Sequence, residues 1–167
     1  VVRATIIAAG SGVAAAHVTA VRLLGGRRFE TDLIHVTASL GRHVRLDGVR
    51  AHRSGQLEPG DLTAVHGIPC TSPLRTVIDL SGTLSDDELG SVIDDFIRRR
   101  TLDLEALRSR VNRVRPAPGR SVKRLRRVLA ARIPGYDPGE SELEGRIMRI
   151  LIANELPLPT QQHRVRF

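Results

Sequence analysis

The stretch that decides the fold reads Leu33-Ile34-His35-Val36-Thr37-Ala38-Ser39, then Val44-Arg45-Leu46-Asp47-Gly48-Val49-Arg50-Ala51-His52-Arg53-Ser54, then Gly67-Ile68-Pro69-Cys70-Thr71-Ser72-Pro73. Its β-branched residues alternate in part with polar ones, and Asp47-Gly48 is a hairpin turn signal, so two or three short antiparallel strands are predicted between Asp32 and about Val65. Gly67 to Thr71 reads as a further short strand. Pro73 suits the first turn of a helix through Arg75, Val77, Ile78 and Leu80.

Outward from this centre the pattern turns helical. Residues 1–9 and 13–24 read as two helices separated by Gly10-Ser11-Gly12, with Gly25-Gly26 ending the second. On the other side, Ser85-Asp86-Asp87-Glu88 is a capping box that opens a helix to about Arg99, and Asp103 can cap another to about Val114. Pro116-Ala117-Pro118-Gly119 is the strongest break. Residues 120–132 then place Val122, Leu125, Val128 and Leu129 on one helical stripe, with Arg120, Lys123, Arg124 and Arg127 mostly away from it. Ser141 and Glu144 form a second capping box for a helix through Leu143, Ile147, Ile150 and Leu151, and residues 160–167 read as the opening of a strand. The expected class is α+β: a small antiparallel sheet with flanking helices, followed by a mostly helical C-terminal part.

Composition narrows the function. Among 167 residues the only aromatic side chains are Phe29, Phe96, Tyr136 and Phe167, too few for a single-strand binder that stacks bases on rings. Cys70 is the single cysteine, so no internal disulfide can form and a reducing compartment fits. No apolar run approaches the roughly 18 residues of a membrane helix, and the first residues do not read as a signal peptide. A cytoplasmic protein without a membrane partner is expected.

The charge is local. Of the net +8, the segment Ala106 to Tyr136 carries Arg108, Arg110, Arg113, Arg115, Arg120, Lys123, Arg124, Arg126, Arg127 and Arg132 and no acidic residue, while the remaining 136 residues hold 16 basic and 18 acidic side chains. Such concentration is the footprint of a polyanion partner, DNA above all, and these ten residues are the candidate DNA contacts. The alternative is a solvated helix face. Arg98 to Arg100 have a separate explanation, since they complement the dipole at a helix C-terminus.

Catalytic patterns are missing. His17, His35, His43, His52, His66 and His163 show no close pairing of the His-Glu-x-x-His kind, so no metal site is expected, although His35 and His52 can meet across neighbouring strands. Gly10-Ser11-Gly12 lacks a phosphate-loop ending and reads as a turn. Cys70 reads as a small buried hydrophobe. Nucleases that hold a divalent metal cluster their carboxylates, often with a lysine two residues after one of them, but the only lysine, Lys123, follows Ser121 at that distance.

The ordered set His17-Val18-Thr19-Ala20, His35-Val36-Thr37, His52-Arg53-Ser54, Pro69-Cys70-Thr71-Ser72-Pro73 and Arg75-Thr76-x-x-Asp79-Leu80 resembles the AbiEi-like type IV antitoxin regulators of actinobacteria over roughly residues 10–115. That resemblance implies a DNA-binding transcriptional regulator or antitoxin. The family's winged helix precedes the matching region, and because nine residues precede Gly10, it is expected to be largely missing. Residues 140–167 resemble the first helix and strand of a very-short-patch-repair-type endonuclease of the PD-(D/E)xK class. By this resemblance Glu144 is a remnant metal-site carboxylate, against its plain reading as the capping-box acid. The other catalytic residues, and any role for Mg²⁺, belong to a core expected beyond Phe167. The expected organisation is a regulator domain over 1–115, a linker and basic helix over 116–139, and the truncated start of an endonuclease-like domain over 140–167. No cofactor is expected. The expected function is DNA-binding regulation without catalysis, against the front of a nuclease or a truncated product.

Overall fold

The computed structural model describes residues 1–26, 29–55, 57–132, 136–139 and 141–159. The element order is α1 (Val2–Ala9), β1 (Val13–Ala15), α2 (His17–Leu23), β2 (Ile34–Ser39), β3 (Val49–Ser54), β4 (Leu62–Val65), β5 (Ile68–Thr71), α3 (Pro73–Leu80), α4 (Asp86–Arg98), α5 (Leu104–Arg113), α6 (Val122–Ala130) and α7 (Glu142–Ala153). The class is α+β as expected, with one five-stranded sheet in the order β3-β2-β1-β5-β4.

Two pairings depart from the expected antiparallel sheet. Strands β2 and β3 run parallel, from Ile34 opposite Val49 to Ser39 opposite Ser54, and β1 lies parallel to β5 through Ala15 and Cys70. The Asp47-Gly48 turn exists, with Gly48 at φ 72°, but it feeds β3 from the end where β2 begins: the Ile34 amide donates to the Gly48 carbonyl at 2.8 Å. The intervening residues 40–48, at most about 3.5 Å of reach each, are long enough to run back along a six-residue strand. The true hairpin is β4–β5, whose two-residue loop, His66-Gly67, holds φ at 50° and 74° in the left-handed region that such tight loops demand.

The expected helix over 13–24 is divided. Val13, Ala14 and Ala15 form a buried strand between β2 and β5, and an extended Ala16 precedes α2. Alanine favours helix, but pairing on both sides with distant strands overrides that preference. The small side chains of β1 join Ile6, Ala9, Ala20, Val36, Ala38 and Cys70 in one core.

A second, larger core unites α3 to α6. Val77, Ile78, Leu80, Leu89, Val92, Ile93 and Phe96 meet Leu107 and Val111 of α5 and Val122, Leu125, Val128 and Leu129 of α6. The predicted caps are present: Ser85 and Glu88 close their box, Asp103 Oδ1 accepts from Ala106 N at 2.6 Å, and Ser141 and Glu144 close the second box. The Pro116–Gly119 break is a turn pressed onto the end of α3. A Cβ on Gly82 would lie 2.1 Å from the Gly119 carbonyl oxygen, and Ser121 N donates to Ser81 Oγ at 2.9 Å. On α7 the inward side carries Gly145 and Met148, while Leu143, Ile147 and Ile150 of the expected apolar stripe are exposed. The strand expected over 160–167 lies outside the described residues.

Candidate functional site

Motif residues scattered along the sequence converge beside the sheet. In the parallel β2–β3 register Arg50 faces His35 and His52 faces Thr37, so His35 and His52 are diagonal neighbours on one face. His35 Nδ1 lies 3.1 Å from His52 Nε2. Ala16 N donates to the His35 carbonyl at 2.9 Å and His35 N donates to Thr19 Oγ1 at 2.9 Å, which brings the head of α2 onto β2. His17 therefore stacks on His52, ring centroids 3.6 Å apart, and lies 5.7 Å from His35. The backbone at His17 is left-handed, φ 52°, and its buried Nδ1 has no hydrogen-bond partner. Burial, then the neighbouring His52 and His35 rings, then Arg75 and Arg120, push its pKa down to about 3. His52 falls to about 4, through burial and then His35 and Arg50. His35 is also lowered, mainly by burial and then by Arg50. At neutral pH all three rings are uncharged.

Next to the rings lies an arginine–carboxylate network. Arg75, 1% exposed, donates to Asp61 Oδ2 at 2.8 Å, Asp79 Oδ2 at 2.9 Å and Ser54 Oγ at 2.8 Å. Arg120 donates to Asp79 Oδ1 and Ser54 Oγ at 3.3 and 3.1 Å, and Arg110 pairs with Asp61 at 3.2 Å and with Glu58. A cavity of about 480 Å³ opens here, lined by His17, His52, Ser54, Arg75, Asp79 and Arg120 among others. A smaller cleft of about 240 Å³ lies on the other side of Arg75 and Arg120, where Arg110, Arg113 and Arg115 face a single acid, Glu58. Burial first, then the adjacent Arg113 and Arg120, lowers the Arg110 pKa, a sign of how closely these cations crowd.

The ten candidate DNA contacts divide sharply. Six have acidic partners: Arg108 with Glu105, Arg110 with Glu58 and Asp61, Arg120 with Asp79, Arg124 and Arg127 with Asp86, and Arg132 with Asp94. Arg132 is fully buried, donating to both Asp94 oxygens at 2.7 and 2.9 Å and to the Val128 and Gly90 carbonyls, with its guanidinium 5.5 Å from the Tyr136 ring centroid. The other four, Arg113, Arg115, Lys123 and Arg126, are exposed and have no ion pair among the described residues. Glu144 accepts from Ser141 N at 3.0 Å and so fills the capping-box role.

The sequence anticipates the meeting of His35 and His52 across neighbouring strands but not that His17, 18 residues before His35, joins them, because only the fold brings the head of α2 onto β2. The available signal was that each histidine opens one of the short motifs quoted above. Comparison with known proteins finds no family model that matches the chain, no matching curated protein and no matching solved structure.

Proposed function

We propose that this chain is a DNA-binding regulator or antitoxin-like protein that grips the phosphate backbone through Arg113, Arg115, Lys123 and Arg126. The observation that carries the reading is the division of the basic segment: four exposed cations without acidic partners cluster in sequence around the α5–α6 turn, beside an arginine-lined cleft. A polyanion supplies what the protein does not. The six paired residues hold the helices in place and contribute less, because their charge is already offset locally.

Neutralising about four phosphates gives a log–log slope of affinity against salt near −3.6. Fluorescence anisotropy with a duplex of arbitrary sequence, repeated across a salt series, measures it. Replacing the four residues together by Ala should flatten that slope and weaken binding alike for all sequences, since phosphate contacts position without specifying. A slope near zero in the wild-type protein, or one unchanged by the fourfold replacement, refutes the assignment.

A further inference from the structure

We infer that His17, His35 and His52 form a binding site for a zinc-class divalent transition-metal ion, which would join the head of α2 to strands β2 and β3. One ring nitrogen from each histidine can be chosen so that all three lie within 4.8 Å of one another. Tetrahedral zinc, with zinc–nitrogen bonds of about 2.0–2.1 Å, sets its nitrogen ligands about 3.3 Å apart. The His35–His52 pair already stands at 3.1 Å, so the adjustment falls mainly on His17.

His17 is the residue whose local structure is otherwise unexplained. Its Nδ1 is buried without a partner and its backbone takes a conformation that non-glycine residues rarely adopt. A polar atom withdrawn from water without a hydrogen bond is costly, and a metal bond made by Nδ1 itself would offset that cost.

The donor set selects the ion. Three imidazoles with no carboxylate among them suit zinc, copper, nickel or iron and not magnesium or calcium. Three arginines stand near: Arg75 is bound to Asp61 and Asp79 and Arg120 to Asp79, which offsets their charge in part, and Arg50 is exposed on β3, where solvent screens it. Because His17 and His52 also line the 480 Å³ cavity, an ion held by the triad borders it. Three protein ligands leave a fourth position for water or an anionic oxygen arriving from that side. The site stands apart from the exposed cations of the DNA reading, so either can fail without the other.

The test is a Zn²⁺ competition titration of the full chain against a chromophoric chelator. Expected is one equivalent per chain that Mg²⁺ does not displace. Each of His17→Phe, His35→Gln and His52→Gln should weaken binding by more than about a hundredfold, beyond the loss typical of an outer-shell partner. The exposed-histidine controls His43→Ala and His66→Ala should match wild type. Absence of stoichiometric binding, or binding that survives in the folded cluster variants or vanishes in the controls, overturns the inference. Should circular dichroism show the variants unfolded, the wild-type chain decides: Co²⁺ should produce the intense visible bands of a tetrahedral site, and Zn²⁺ should shift three imidazoles in proton–nitrogen correlation spectra. If neither occurs, the site does not exist.

Discussion

Among the described residues, Arg75 and Arg132 are the two largest side chains that the fold buries completely, and their surroundings differ. Arg132 sits in the helical part, where one carboxylate, Asp94, receives it twice and also pairs with Arg149, and two backbone carbonyls of α4 and α6 accept two further bonds. Arg75 sits at the sheet, where it divides itself between Asp61, Asp79 and Ser54, and both carboxylates are shared with further arginines. The first arrangement fastens two helices together. The second leaves a crowd of cations and neutral rings around a cavity, with one buried nitrogen unsatisfied. The helical region gathers its charges on one carboxylate, and the sheet region spreads them over two carboxylates beside three imidazoles.

The sharpest way to break this contrast is to delete each arginine. Arg132→Ala removes four hydrogen bonds from a fully buried site and leaves Asp94 to Arg149 alone, so a loss of about 3–5 kcal/mol in denaturant unfolding is expected. Arg75→Ala should cost less, about 1.5–3 kcal/mol, since Arg110 remains on Asp61 and Arg120 on Asp79. A larger loss for Arg75 would mean that the sheet-side network is the fold's principal fastener and not a site.

Acid should separate the regions next. The folded pKa of His17 is about 3 and that of His52 about 4, both below the ordinary 6.5, so the unfolded chain binds more protons in between. Stability is therefore complete above 6.5 and is lost as pH falls from there toward the folded values. In chelator-treated protein the loss approaches about 1.4 kcal/mol per pH unit for a ring that stays neutral in the fold, with His52, only half-buried, adding less than His17. Urea midpoints measured between neutral pH and about pH 5 should fall, whereas the depressed Asp86 carboxyl, held down chiefly by its Arg127 hydrogen bond, acts only below its ordinary 3.8. Flat midpoints across that interval would remove the neutral-histidine description. The smallest effect belongs to Arg126→Ala, exposed on α6 and unpaired, which should leave stability within about 0.5 kcal/mol while reducing the salt slope of DNA binding by about one.

Local chemistry made the helical part readable. Ser85, Asp103 and Ser141 each cap as their positions imply, and the stripe Val122–Leu125–Val128–Leu129 is buried as its period requires. The sheet was harder because its information is non-local. Val13–Ala15 has no alternation to display when both neighbours and both faces bury it, and the direction of β3 depends on where a nine-residue connection leads, which the Asp47-Gly48 signal does not encode. The basic segment shows the same limit: the count of arginines was visible, but the acids that neutralise six of them, from Glu58 to Glu105, lie elsewhere in the chain. On α7 the stripe through Leu143, Ile147 and Ile150 has the right period for burial, yet Met148 and Gly145 face inward.

The contact of Gly82 with the Gly119 carbonyl bears on how fast and how tightly this protein can engage a partner. With no side chain between them, the two backbones leave the α5–α6 connection no slack to swing as a tether. The backbone that carries the cations around it is anchored there before any encounter. For the phosphate contacts proposed above, docking would then require little further loss of backbone entropy, and the effective concentration of each cation for the next phosphate would be set by the fold and not by the length of a loop.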